Sequence, residues 1–206
     1  MQVTKYPQSC LLIEAHGSRL LVDPGNFAAD RYLAEAFGPV DAVLWTHRHA
    51  DHFDRRLVEP FAERGAQFVA NADVASLLPD HEVTQVGDGQ ELQVAGVPVT
   101  TYDLPHVEMV DGSAGPPNTG FLFDGRLLHP GDAIEAGFAV ENLALPIAGP
   151  SVSFRRAYQL IERTGASTVV PIHYDAFIAD PGFFASFCDI ARVAALDEGE
   201  TVDLAG

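Results

Sequence analysis

The chain has 206 residues, with 12 Lys+Arg against 29 Asp+Glu, a formal net charge of −17 and 47% hydrophobic residues. Cations scattered singly or in pairs such as Arg55-Arg56 and Arg155-Arg156 exclude most nucleic-acid binders, which need a basic stripe to displace the counterions of phosphate. The apolar content is too high for disorder, no apolar run is long enough to cross a bilayer, and no basic-then-apolar leader opens the chain, so a soluble cytoplasmic protein with one domain over residues 1–206 is expected.

Taken in chain order, Ser9–Glu14 and Arg19–Val22 are apolar runs separated by Ala15-His16-Gly17-Ser18, which predicts a hairpin. A short strand over Asp41–Trp45 precedes a helix over Asp54–Arg64, where Leu57, Val58, Phe61 and Ala62 fall at helical spacing before Gly65. Next come a strand at Gln67–Ala70, a short helix at Asp73–Leu78, and strands at Glu82–Val86, Glu91–Val94 and Val97–Tyr102. Gly120–Phe123 and Arg126–Leu128 form a second hairpin about Asp124-Gly125. The last third alternates: strand Asn142–Leu145, helix Ser151–Arg163, strand Ser167–Pro171, helix Gly182–Ala195. Meandering strands followed by βαβ-like alternation imply two sheets with helices outside them, a mixed α/β layered domain. Cys10 and Cys188 have neither CxxC spacing nor a neighbouring His, so both are expected to be buried free thiols.

Three of the eight histidines stand together in Thr46-His47-Arg48-His49-Ala50-Asp51-His52, directly after the apolar run Ala42–Trp45. In extended backbone His47 and His49 share a face, and a turn before the next helix lets Asp51 and His52 point back beside them. Two imidazoles on one side and a carboxylate with an imidazole on the other make two half-built sites for Zn, Mn or Fe. His106, Asp132 and His173 each follow a predicted strand and can complete them, because loops at one edge of layered sheets are where sites are assembled. Alone, each has a plainer reading as a turn or hydrogen-bonding residue. Together, in this order, they read as ligands.

The order Asp23 (in Leu21-Val22-Asp23-Pro24-Gly25), HxHxDH, His106, Asp132 (in His129-Pro130-Gly131-Asp132) and His173 (in Pro171-Ile172-His173-Tyr174) resembles the metallo-β-lactamase fold superfamily. More narrowly, the chain resembles its branch of ascorbate-6-phosphate lactonase-like and UPF0173-type metal-dependent hydrolases. The resemblance covers about residues 1–180. It implies a four-layer αββα sandwich, His47, His49 and His106 on one metal, Asp51, His52 and His173 on a second, and Asp132 bridging them. The chain departs from the pattern at Gln8, where relatives usually carry His, and at Ala133, often Thr or Ser in relatives.

Two divalent ions, Zn2+ first with Mn2+ or Fe as alternatives, would hold a hydroxide that attacks a small-molecule ester, lactone, amide or phosphodiester. Asp51 can take the proton at that step, which makes Asp51 and Asp132 the catalytic carboxylates. His129 is expected to orient ligands from outside, and Asn118 to contact a substrate oxygen or shape a turn. Tyr174 is a candidate for the pocket wall, His16 and His81 for solvated turns, and His106–Asn118 for a loop over the site. Specificity is expected from Asn26–Phe37, His106–Asn118, Glu135–Val140 and Asp175–Phe184. Two other readings stand beside hydrolysis: iron-dependent redox chemistry and a metal-binding sensor without turnover. The expected partner is a small molecule, with no nucleic acid or membrane, and the sequence is compatible with a homo-oligomer.

Overall fold

The computed structural model describes residues 1–204 as two seven-stranded sheets packed face to face, with helices on both outer surfaces. The first sheet contains β1 (Gln2–Lys5), β2 (Leu11–Ala15), β3 (Ser18–Val22), β4 (Ala42–Trp45), β5 (Gln67–Asn71) and β6 (Val83–Val86), with a late strand, Thr201–Asp203, on the far side of β1. In the second sheet, β7 (Glu91–Val94), β8 (Val97–Asp103), β9 (Thr119–Phe123), β10 (Leu127–His129), β11 (Asn142–Pro146), β12 (Thr168–Ile172) and β13 (Arg192–Val193) lie side by side in sequence order. Thr201–Asp203 is then β14. α1 (Asn26–Ala29), α2 (Arg55–Ala62) and α3 (Ala72–Ala75) are on the first sheet's side, α4 (Phe154–Thr164) and α5 (Pro181–Phe187) on the second's. This is the expected αββα layering.

β4 shows how the sequence makes the layers. Ala42 and Leu44 point into the core between the sheets, while Val43 and Trp45 point the other way, toward Leu57, Val58 and Phe61 of α2. A parallel strand buried on both faces needs an unbroken apolar run, and Ala-Val-Leu-Trp supplies it. Both predicted hairpins close on two left-handed residues, His16-Gly17 (φ +52°, +83°) and Asp124-Gly125 (φ +53°, +66°), whose twist matches that of the strands. β3 to β6 run parallel, as do β10 to β13, so successive carboxyl ends open at one edge of the sandwich. α2 starts where the Asp54 side chain accepts from Arg56 N (2.8 Å), and α4 where Ser153 accepts from Arg156 N.

Four expectations change. The helix predicted over Gly182–Ala195 stops at Phe187, because Arg192 N and Ala194 N pair with Ser167 O and Val169 O (both 2.8 Å) and draw the chain into β13. The strand predicted from Ser9 begins at Leu11, since Tyr6 to Cys10 close a tight turn in which Cys10 N donates to Pro7 O. The short helix predicted at Asp73–Leu78 spans Ala72–Ala75, its first turn capped by the Asn71 side chain. Cys188 is only half-buried, whereas Cys10 is buried and both thiols are free. Among the described residues no helix is long and apolar enough to cross a membrane.

Candidate metal centre

Each residue expected at the site leaves the carboxyl end of a strand, the edge where α/β layers assemble their sites. Asp23 follows β3, His47 to His52 follow β4, His106 follows β8, Asp132 follows β10 and His173 follows β12. Gln8, Asp23 and His173 are left-handed (φ +60°, +50° and +61°), a conformation that side chains tolerate only where surroundings enforce it. Here the backbone is tied: Asp23 N donates to Leu44 O (3.0 Å) and His173 N to Gln8 O (3.1 Å). A Cβ on Gly25 would lie 2.1 Å from the Asp51 carbonyl, so only glycine lets the turn after Asp23 lie against the histidine loop.

Donor atoms converge in two groups, His47, His49, His106 with Asp132, and Asp51, His52 with His173. His49 Nδ1 lies 3.2 Å from both His47 Nε2 and His106 Nε2, and Asp132 Oδ2 lies 3.3 Å from His106 Nε2 and 3.8 Å from His47 Nε2. In the second group His173 Nε2 is 3.2 Å from Asp51 Oδ2 and 3.1 Å from Asp132 Oδ2. Ligands about 2.0–2.1 Å from a tetrahedral ion stand about 3.4 Å apart, the spacing seen here. Asp132 reaches both groups, because its Oδ1 lies 3.0 Å from His52 Nε2.

The outer nitrogens of four imidazoles are occupied, which turns the inner ones toward the centre. His106 Nδ1 donates to Val107 O (2.6 Å), His173 Nδ1 to Ala148 O (2.7 Å) and His52 Nδ1 to Asp23 Oδ2 (2.7 Å). Thr46 Oγ1 donates to Asp23 Oδ2 (2.7 Å) and lies 3.0 Å from His47 Nδ1, so Asp23 orients His52 directly and His47 through a hydroxyl. With their Nδ1 protons committed, His47 Nε2 and His106 Nε2 face His49 Nδ1 with lone pairs, an arrangement that a cation satisfies. His52 Nε2 and Asp132 Oδ1 are buried, close, and without hydrogen-bond geometry, which also fits a shared ion.

Burial pushes the His47 and His49 imidazoles down, reinforced by the neighbouring rings. For His52 and His173 burial acts in the same direction, but Asp132 and the other carboxylates outweigh it, raising His52 and lifting His173 to about 9. Burial likewise works against the charge on Asp132 and Asp51, yet His52 and His173 hold both carboxyls below the usual range.

The remaining candidates sit behind the donors. Asn118 is buried, its amide donating to Leu104 O and Pro130 O (both 2.9 Å) and its Oδ1 accepting from Asp132 N (3.3 Å), so it holds loops together and is not among the walls of the cavity at the donors. His129 is fully buried, bonds Ser9 O through Nε2 (2.9 Å) and accepts from Gly131 N (3.3 Å), clear of the donor groups. Tyr174 stands outside the site, its hydroxyl on Leu196 O and its ring under the Lys5 ammonium. His16 is exposed and pairs with Asp124, and half-buried His81 lies near Glu59. Ala133 is buried in the outer apolar layer of the second sheet. Sequence reasoning passed over Thr46, whose signal is a hydroxyl directly before HxHxDH, and left Gln8 without a role. Gln8 Nε2 donates to Asp51 Oδ2 (2.9 Å), its Oε1 accepts from Ala176 N (3.2 Å), and its own N–H donates to Asp175 Oδ2 (2.6 Å).

A cavity of about 140 Å³ opens onto His49, Asp51, His106, Asp132 and His173. Its other walls come from residues 107–110, Gly149, Pro150, Val152 and Phe177, so the first part of the predicted loop borders the site, whereas Asn26–Phe37 and Glu135–Val140 are not among its walls. A larger groove, about 570 Å³, runs behind that loop and meets the donors only at His106.

The model of the family described as "Beta-lactamase superfamily domain" matches residues 2–173. A Mycobacterium tuberculosis protein is 32% identical over 182 residues, covering 84% of each chain. A protein of Geobacillus thermodenitrificans named a UPF0173 metal-dependent hydrolase is 29% identical, covering 99% of this chain and all of its own length. Among solved structures, a metallo hydrolase from the archaeon Ignicoccus hospitalis has the same fold, with a TM-score of 0.81, 24% identity, and coverage of 98% of this chain and 97% of that one. The chain therefore belongs to the β-lactamase superfamily domain family.

Proposed function

We propose that the protein is a metal-dependent hydrolase that holds two divalent cations and cleaves a small carbonyl or phosphoryl substrate in the cytoplasm. The observation that carries this reading is the meeting of His47 Nε2, His49 Nδ1 and His106 Nε2 at 3.2 Å, with the outer nitrogens of His47 and His106 tied to other partners. Family membership and the relatives named metal-dependent hydrolases support it. His47, His49 and His106 would hold one ion, Asp51, His52 and His173 the other, and Asp132 both; a donor set of nitrogen and oxygen without thiolate suits Zn2+, then Mn2+ or Fe. Ions bound there supply a nucleophilic water of lowered pKa and polarise the oxygen that gains charge. Asp51, the more exposed of the two carboxylates, accepts the proton released by the attacking water and returns it to the leaving oxygen, while the Gln8 amide keeps its Oδ2 aimed inward. Asp23 and Thr46 hold the imidazoles in register throughout.

Metal analysis of protein purified without added metal, followed by assays on lactones, thioesters and bis-p-nitrophenyl phosphate, tests the proposal. Two equivalents of zinc or manganese and metal-dependent turnover are expected, with kcat/KM at least about 100-fold lower in Asp132→Ala. Iron with oxygen uptake would favour redox chemistry instead. Equal turnover by Asp132→Ala and the parent would sink the assignment.

A further inference from the structure

The cavity beside the donors has two kinds of wall. On one side stand the imidazoles and carboxylates; on the other are Val107, Met109, Val110, Val152 and Phe177. Val107 and Val152 are buried and pack with Ile134, forming a fixed floor. Val110, Phe177 and Met109 remain 79%, 40% and 37% exposed at the mouth, although each could have been polar at no cost to the core. Phe177 lies 5.3 Å from the His173 ring with the planes tilted by 31°, so apolar surface begins directly at the donor group. Apolar side chains gathered at the mouth of a cavity mark a surface that a ligand covers.

Charge narrows the ligand further. Among the described residues no Lys or Arg lines the cavity, and its one charged residue outside the donor set is acidic, Glu108, already paired with Arg156 (3.2 Å). A phosphate or carboxylate on the substrate would find no counter-charge away from the donors, and it would approach a chain of net charge −17. A volume near 140 Å³ matches cavities that take a single aromatic ring or a short alkyl chain.

We infer that the substrate is an uncharged ester or lactone whose acyl substituent is apolar, about the size of a phenyl ring or a five-carbon chain, and is seated between Val152 and Phe177. The inference rests on the hydrolytic reading of the same site. The step balances as plain hydrolysis: the oxygen of water bonds to the acyl carbon, the carbon–oxygen bond to the leaving group breaks, and the leaving oxygen takes one proton, giving a carboxylic acid and an alcohol. A phosphorylated substrate is the alternative that the walls reject.

The test pairs turnover with binding on zinc-loaded protein. Methyl esters of acetic, hexanoic and phenylacetic acids are compared with monomethyl adipate, which extends the chain to a carboxylate. Acetohydroxamate and hexanohydroxamate are titrated calorimetrically alongside. Each buried methylene is worth roughly a three- to fourfold factor, so hexanoate and phenylacetate should exceed acetate at least 10-fold in kcat/KM, and adipate by a similar margin. Hexanohydroxamate should bind at least 10-fold more tightly than acetohydroxamate. In Phe177→Ala and Val110→Ser, both at exposed positions, the hexanoate-to-acetate ratio should fall at least threefold. Flat chain-length dependence, or preference for the charged ester, overturns the inference while turnover abolished by Asp132→Ala leaves hydrolysis standing. Chain-length-dependent hydroxamate binding without turnover of any ester leaves the apolar seat standing and overturns ester hydrolysis at this site.

Discussion

At the scale of single residues, Asp23 and Thr46 hold the imidazoles of His52 and His47 in place. Thr46 is fully buried, donates to Asp23 and faces the outer nitrogen of His47. Thr46→Val keeps the shape but leaves one Asp23 oxygen with a partner fewer and frees the His47 ring. Zinc affinity should drop 10- to 100-fold, read by competition with a chromophoric chelator, at a stability cost of about 1–3 kcal/mol. Gly25→Ala would drive a methyl group into the Asp51 carbonyl, and overpacking against backbone should lower stability by about 1–3 kcal/mol in urea unfolding while loosening zinc. The donors were legible in the sequence because four of them fall within six residues and the others follow apolar runs. Thr46 and Gln8 were not, since a hydroxyl or an amide acquires its meaning only from partners brought in by distant strands, Asp23 for one and Asp51 with Asp175 for the other.

At the scale of elements, the histidine loop is held between two well-defined ends, β4 before it and the capped start of α2 after it. Asp54 accepts from Arg56 N and also pairs with the Arg56 guanidinium, which lies farther out toward Asp30. Replacing Asp54 with Ala removes the cap and should cost about 1 kcal/mol in denaturant unfolding, with faster amide exchange over residues 50–58 than elsewhere. If exchange rises uniformly, the cap does not anchor the loop. Long or strongly patterned elements were readable locally: β4 by its apolar run, α2 by its spacing, the hairpins by His16-Gly17 and Asp124-Gly125. The short strands at one end of each sheet were not. β1, β13 and β14 are four, two and three residues long, and what makes them strands is pairing across the chain, Val3 with Val202 and Thr168 with Arg192. The same pairing cut the last helix short, a tertiary contact overriding local periodicity.

At the scale of the whole molecule, proton and metal compete for one buried set of charges. In chelated protein His173 stands at about 9, above its ordinary 6.5, so its protonation stabilises the fold fully below pH 6.5, and that contribution is lost as pH rises through about 9. Asp51 and Asp132 are held low, so their contribution is present above the ordinary carboxylate value of about 4 and lost as pH falls below it. His47 and His49, pushed down by burial, lose their contribution as pH falls below 6.5, so the melting temperature of chelated protein should peak near pH 6.5 and drop by about 5 °C or more by pH 9.5. Zinc should add most above about pH 9, where His173 has lost its proton, and scanning calorimetry with and without chelator compares the two. A chelated melting temperature that climbs from pH 7 to 9.5 would show that the carboxylates do not hold the proton on His173. Four donors hang from the first sheet and three from the second. Metal held by both sets, as proposed, would tie distant parts of the chain together as a disulfide would, in a protein whose two cysteines are free. Closing loops of about 100 residues in this way restricts the unfolded chain by on the order of 4–5 kcal/mol in the chain-entropy picture. If the proposed ions occupy the cluster, it would also be the clasp of the sandwich, and protein deprived of them would be lost to proteolysis along with its activity.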